Sequence, residues 1–343
     1  MATKHSSART RVLLALSFIS LIALILAVEC SARSRPQLDG CTGPYQWPVK
    51  PFHRAHPIRG NFGDPRTRFD LPRSDAALDG DGVFSFHQGV DINAPDGTPV
   101  YPVASGMVTR VPGERVTVAC GNGRSFQYWH ITPTVRVGQH VEAGKTVLGH
   151  ILPLREHVHL THLEGRKAVN PLASGHLTPY RDTTSPHVLG IVVRSGEGRD
   201  VSAQAVRGQV FFVVDAVDTT ALPVHGRWHG GYPVSPAVIT WKIEHAGKVV
   251  VPERVARDVR GSLPRNERFW KTFARGTYQN WPVFESRHYR FERGKYLFKL
   301  SSRPFDTRRL ADGVYIVVVA AEDTAGNRGV RRLRFTVNNS LGV

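Results

Sequence analysis

Five consecutive residues, His87-Gln88-Gly89-Val90-Asp91, bring an imidazole and a carboxylate close together in the chain. Read as one strand through Phe86 to Ile92, alternation puts His87, Gly89 and Asp91 on one face and turns Val90 and Ile92 into a core. The missing side chain at Gly89 leaves room for an ion. One nitrogen and one oxygen donor suit Zn²⁺, which takes four ligands in a tetrahedron. A further protein ligand must come from elsewhere. His157-Val158-His159-Leu160 holds the one His-x-His of the chain, and alternation again puts both rings on one face. Tyr128-Trp129-His130 ends another strand-like run. The pattern predicts a zinc site on a β-sheet with two further histidines beside it. Either pair alone would arise by chance roughly once in a chain with this many histidines, so order and context must carry the weight.

The elements that would position these residues are strands. From 83 to 170 the chain consists of short apolar runs separated by Gly, Pro or Asn-Gly, such as 106–111, 115–119 and 126–129. That pattern reads as antiparallel β, with Gly121-Asn122-Gly123 as a hairpin turn. No long helical period appears. Residues 181–204 are polar and read as a linker. Residues 205–343 are again strand-like, ending in the runs 312–323 and 333–337. A chain of 343 residues is long for one domain, and two are expected.

Charge and the amino-terminal segment choose the compartment. The net charge of +17 favours an anionic partner surface. Lys4, Arg9 and Arg11 precede the apolar run from Val12 to Val28, which reads as an export signal with a cleavage point after Ala32, or as a retained membrane anchor. Residues 1–32 are therefore assigned as signal or anchor, and 33–55 as an amino-terminal arm. Cys41 and Cys120 remain as an even pair in an oxidising compartment, either as a disulfide tying the arm to the sheet or as two unpaired thiols. Asp79-Gly80-Asp81-Gly82 reads as a plain turn. Residues 251–310 carry 15 Lys or Arg against 6 Asp or Glu, interleaved with aromatics. That composition can bind single-stranded nucleic acid, which an exported protein seldom meets, so no nucleic acid is expected. Anionic cell-wall polymers are the alternative to a plain aromatic core.

The order His87-x-x-x-Asp91, Tyr128-Trp129-His130, His157-Val158-His159 resembles the M23 peptidases of the lysostaphin or LytM type. So do the lead-in Gly60-Asn61-Phe62-Gly63-Asp64-Pro65-Arg66, the run Ala94-Pro95-Asp96-Gly97-Thr98-Pro99-Val100, and Val137-Gly138-Gln139-His140-Val141 with Gly144 and Gly149. The resemblance covers about residues 45–173. It implies an all-β protein, with an antiparallel M23 peptidase domain over 56–180. The ending of the chain is similar to immunoglobulin-like β-sandwiches, which gives 205–343 that expectation.

The resemblance further implies that His87, Asp91 and His159 hold Zn²⁺ with one position open for water. Such a water has its pKa lowered to about 7, and the ion polarises the scissile carbonyl. His130 and His157 would flank the water and stabilise the tetrahedral intermediate. The implied protein is a secreted or cell-envelope zinc metalloendopeptidase acting on peptidoglycan peptides. The alternative is a catalytically silent M23 module that binds wall or regulates another hydrolase. Arg155-Glu156 stands where the family has a Gly-Pro-like turn, which bears on the shape of the cleft. His53-x-x-His56 and His225-x-x-x-His229 lack a third ligand, and these, with His140, His150 and His162, read as surface or structural.

Overall fold

The structure is a computed structural model that describes residues 41–68, 83–226, 232–280 and 293–340. The export signal, the first part of the arm, the turn at 79–82, His229, and the aromatics Trp281, Phe284, Tyr289 and Phe291 lie outside the described residues. Among the described residues no helix is long and apolar enough to cross a membrane.

The chain is mostly β-sheet, as its alternating runs imply. In the first half an antiparallel sheet runs in the order Ile58–Gly60, Val90–Asn93, His157–Glu164, Arg124–Trp129, Arg115–Gly121, Gly106–Arg110 and His140–Val141, with Lys167–Val169 folded back on His157–Glu164. Strands distant in sequence become neighbours at its centre, where His159 pairs with Asp91 on one side and Trp129 on the other. Alternation works as expected within these strands. Val116, Val118, Cys120, Phe126, Tyr128, Val158 and Leu160 are all buried in one core. Tyr45, Trp47 and Val49 join that core, with Trp47 Nε1 donating to the Pro179 carbonyl at 2.8 Å.

Cys41 and Cys120 are joined as a disulfide, which ties the described start of the chain to a central strand across 79 residues. In the chain-entropy account a loop of that length restricts the unfolded state by roughly 4 to 5 kcal/mol. Cys41→Ser should therefore lower the thermal midpoint by roughly 6 to 8 degrees, read by calorimetry under non-reducing conditions. An unchanged midpoint would mean that the bond is not formed in solution.

The second half holds two antiparallel sheets. One contains Asp200–Val201, His187–Ser195, Gln209–Val217 and Leu297–Lys299, with Phe305–Asp306 also paired to Gln209–Val217. The other runs Lys248–Asp258, Val238–His245, Gly313–Glu322, Arg328–Val337. Phe212, Val214, Trp241, Ile243, Val317, Val319 and Phe335 from both sheets share one apolar core.

The stretch that leads to His87 belongs to both halves. Strands Pro65–Arg68 and Val83–Phe86 form a separate ladder. Phe84 and Phe86 enter the core of the second half, each with its ring 5.6 Å from that of Phe269. The buried Asp64 carboxylate accepts from Ser235 N and Oγ at 2.7 Å, and Arg257 donates to the Gly63 carbonyl at 2.9 Å. Thr67 N donates to Gln279 Oε1 at 2.7 Å, and Gln279 N donates back to Thr67 Oγ1 at 3.0 Å. Residues 40–343 accordingly form one compact unit.

Candidate metal centre

The expected continuous strand from Phe86 to Ile92 is interrupted. Val83–Phe86 ends in the small ladder, residues 87–89 form a connection, and Val90–Asn93 enters the large sheet. His87 thus reaches the site from a loop and Asp91 from a strand. The role expected of Gly89 also changes. A Cβ there would overlap the Leu160 carbonyl oxygen and stand 2.8 Å from His159 Nε2. The glycine is required because the His157–Glu164 backbone passes against it, and not to leave space for an ion.

His87, Asp91 and His159 converge. Asp91 Oδ1 lies 3.1 Å from His87 Nε2 and 3.0 Å from His159 Nδ1, and the two nitrogens are 2.7 Å apart. The outer bonds of the rings fix what these atoms can be. His87 Nδ1–H donates to the Asn61 carbonyl at 2.8 Å, which leaves Nε2 as a lone pair. His159 Nε2 lies 2.8 Å from Thr161 Oγ1, a hydroxyl that can accept from Nε2–H and so leave Nδ1 as a lone pair when a cation is bound. Two imidazole nitrogens and a carboxylate oxygen thus face one point, and the mix of two imidazoles and one carboxylate fits Zn²⁺.

The electrostatics agree. Burial pushes the His87 imidazolium pKa down to about 3, helped by Arg66. Burial would raise Asp91, but the facing imidazoles of His87 and His157 hold it well below the usual carboxylate range. Its second oxygen accepts from Arg66 Nη2 at 2.9 Å, with Arg59 Nη2 at 3.9 Å. Thr161→Val removes one outer bond at nearly constant volume. It should weaken divalent-metal affinity roughly 10- to 100-fold, as measured by competition with a chromophoric chelator. An unchanged affinity would mean that the Thr161 hydroxyl does not set the ring.

His157 and His130 stand beside this centre. His157 Nε2 is 3.8 Å from Asp91 Oδ1, and the His130 ring centroid lies 4.7 Å from that of His157 and 6.5 Å from that of His159. His157 Nδ1–H donates to the Arg155 carbonyl, and Arg59 Nη2 stands against the ring, 2.9 Å from Nδ1 and 2.8 Å from Nε2. Burial, and after it Arg59, pushes the His157 pKa well down. Burial brings His130 to about 4. His130 adopts φ +65°, a left-handed conformation that costs a non-glycine residue about 1 to 2 kcal/mol. Its Nδ1 lies 3.6 Å from Glu114 Oε2, which is also 3.6 Å from Arg155 Nη2.

The turn before His157 replaces the family's Gly-Pro-like sequence by other means. Leu154 and Glu156 take φ +67° and +49°. Asp96 holds this turn by accepting from Leu154 N at 2.7 Å and Glu156 N at 2.8 Å, and Asn93 Nδ2 donates to the Glu156 carbonyl at 2.8 Å. Tyr128 and Trp129 divide the work as alternation requires. Tyr128 is wholly buried, its OH accepting from Val103 N at 2.8 Å. Trp129 stands edge-on to His159 at 6.2 Å, under the Arg115 guanidinium at 4.2 Å, and so walls the site.

The other histidines gather no third ligand among the described residues. His56 packs on Trp47, and His162 is buried between Tyr45, Phe126 and His176. Asp182, Asp218 and Asp323 also cluster, but Thr184, Thr219 and Asn327 donate to their oxygens. Burial, with Asp182 and Asp323 nearby, pushes Asp218 up to about 8. Sequence reasoning missed Asn61, Arg59, Arg66, Thr161, Asp96 and Glu114. The Gly-Asn-Phe-Gly-Asp-Pro-Arg lead-in marked the neighbourhood of the first three, but nothing in it showed which atoms they would meet.

Comparison with known proteins places a family on this geometry. Residues 85–171 match the family described as Peptidase family M23. No curated protein matches the chain by sequence. Among solved structures the chain is similar to a zinc-containing peptidase from Vibrio cholerae, with 21% identity over 37% of this chain and 38% of that one, at a TM-score of 0.27. It is also similar to the catalytic domain of the prophage-encoded M23 protein EnpA from Enterococcus faecalis, with 26% identity over 32% and 92%, at a TM-score of 0.25. The M23 metalloprotease pseudoalterin, from the deep sea, aligns at 14% identity over 62% and 96%, with a TM-score of 0.28. The chain thus spans well under half the length of the Vibrio peptidase.

Proposed function

We propose, from the premise that residues 85–171 form an M23-peptidase-family domain, that this chain is a zinc metalloendopeptidase of the cell envelope that hydrolyses peptide bonds of peptidoglycan. The observation that carries the proposal is the convergence of His87 Nε2, Asp91 Oδ1 and His159 Nδ1 within 3.1 Å of one another, with the His87 tautomer set by the Asn61 carbonyl. Zn²⁺ at that point would polarise a scissile carbonyl and lower the pKa of a water.

The chain's own groups would do the rest. His130 is the better candidate to take the proton of the attacking water, since no arginine bonds its ring and Glu114 lies behind it. Arg59 Nη2 already stands 2.8 Å from His157 Nε2, so the guanidinium opposes protonation there. Its role is to hold Arg59 toward the developing oxyanion. Trp129 and Arg115 would form one wall of the substrate groove.

An immunoglobulin-like second half, presenting the enzyme to the wall, fits two observations. Its two sheets share a core. Tyr315, near the start of Gly313–Glu322, donates its OH to the Ala311 carbonyl at 2.9 Å, the corner bond common in such sandwiches.

The experiment is incubation of the purified, zinc-loaded chain with peptidoglycans of several cross-bridge types, with and without a chelator, and mass spectrometry for new amino termini. Chelator-sensitive cleavage is the expected result and names the bond. Zinc bound without cleavage of any wall type would favour the silent binding module.

A further inference from the structure

A second cleft lies far along the chain from the metal centre. It opens where the two sheets of the second half meet, has a volume of about 380 Å³, and falls within the range of small-molecule clefts. Trp241 of Val238–His245 and Arg254 of Lys248–Asp258 are cross-strand partners and supply one wall. The Phe305–Asp306 strand, paired with Gln209, supplies the other. Ser301, Ser302, Arg303 and Arg309 complete the rim.

Two features of this cleft stand out. Arg254, Arg303 and Arg309 converge on it, and none lies within ion-pair distance of a carboxylate among the described residues. The one acid on the rim, Asp306, is engaged by Arg308 through Nε at 2.9 Å and Nη2 at 2.8 Å. Gathering like charges around a concavity raises the local potential for an anion. Trp241 is 2% exposed, yet its buried indole N–H finds no acceptor among the described residues. Arg254 lies 5.7 Å from the Trp241 ring centroid and Phe305 stands edge-on to Trp241 at 6.1 Å, so the guanidinium and the two rings sit together on the wall of the cleft.

We propose that this cleft binds an anionic sugar unit of an extracellular wall polymer, with the guanidiniums of Arg254, Arg303 and Arg309 on its charge and Trp241 and Phe305 on the wall beneath it. The forked guanidinium suits phosphodiester and carboxylate oxygens alike. The hydroxyl of Ser302 and the amide of Gln209 on the rim suit sugar hydroxyls. The proposal rests on the wall-directed reading above and adds the site and the chemistry of the anchor.

The test uses the full chain and two triple variants. In the first, Arg254→Ala, Arg303→Ala and Arg309→Ala remove the cleft charges. In the second, Arg110→Ala, Arg136→Ala and Arg166→Ala remove as many exposed charges elsewhere, which controls for the high net charge. Each is titrated with a soluble phosphodiester-linked polyol polymer, a polyuronate and neutral dextran, and hydrolysis of a soluble wall peptide is followed in parallel. The cleft variant should bind the preferred polyanion more weakly than the control, by roughly thirtyfold or more. Which polyanion binds identifies the source of the anion. Equal binding by both variants, or no polyanion preferred over dextran, overturns the proposal. Hydrolysis is a separate readout: cleavage without polymer binding leaves the peptidase reading intact, and polymer binding without cleavage leaves this one.

Discussion

Zinc titrated into the His159→Ala variant should bind on the order of a thousandfold more weakly, and hydrolysis should be lost with it. In the proposed site His159 would supply one of the three donors gathered among the described residues, and the apparent binding energy of a structural zinc site, about 10 to 16 kcal/mol over four ligands, implies several kcal/mol for each. The remaining pair, His87 Nε2 and Asp91 Oδ1 at 3.1 Å, would keep its outer bonds to Asn61 and Arg66. The fold should therefore persist, because His159 is a partly exposed residue at the surface of the sheet while its neighbours Val158 and Leu160 fill the core. Calorimetric zinc titration beside circular dichroism separates the two effects. Wild-type affinity in a folded variant would remove His159 from the ligand set.

His130→Ala should give the opposite split, with zinc affinity within a fewfold of wild type and kcat lower by roughly 10² to 10⁴, the range expected for loss of a general base. The ring does not share in the close group of donor atoms, and its centroid stands 6.5 Å from that of His159. The residue also holds a left-handed backbone conformation. An alanine there keeps that strain while removing the imidazole. His130→Gly removes both and serves as the companion variant. If both lose turnover equally, the imidazole matters; if glycine alone restores turnover, the residue was a backbone constraint. A variant that loses zinc along with turnover would make His130 part of the metal site.

Short-range pattern made the centre legible. His157-Val158-His159-Leu160 alternates as a strand should, and the structure pairs His159 with Asp91. Tyr128 inside and Trp129 outside follow the same rule. The failures were of range. Alternation carried through residues 86–92 assumed one strand, where the chain changes sheets at 87–89. The glycine was assigned to the ion because the sequence does not show that Leu160, 71 positions later, runs against it. Arg66 and Arg59 could be read only as members of a motif, since their partners Asp91 and His157 lie across strand pairings that no local window contains. The same holds for Asp96, whose carboxylate does for the turn at 154–156 what glycine would do by conformational freedom.

Asn61, which orients His87, and Arg66, which steadies Asp91, sit in a segment clasped by Ser235, Arg257 and Gln279. The residues behind the three candidate donors are thus braced by the other half of the chain, to which none of those three belongs. Such a molecule should melt in a single calorimetric transition and resist being cut into exchangeable cassettes. A fragment ending near residue 204 would keep every ligand and lose their scaffolding, and a foreign carboxy-terminal module grafted in its place would have to reproduce those three contacts before the transplanted catalyst could load its ion.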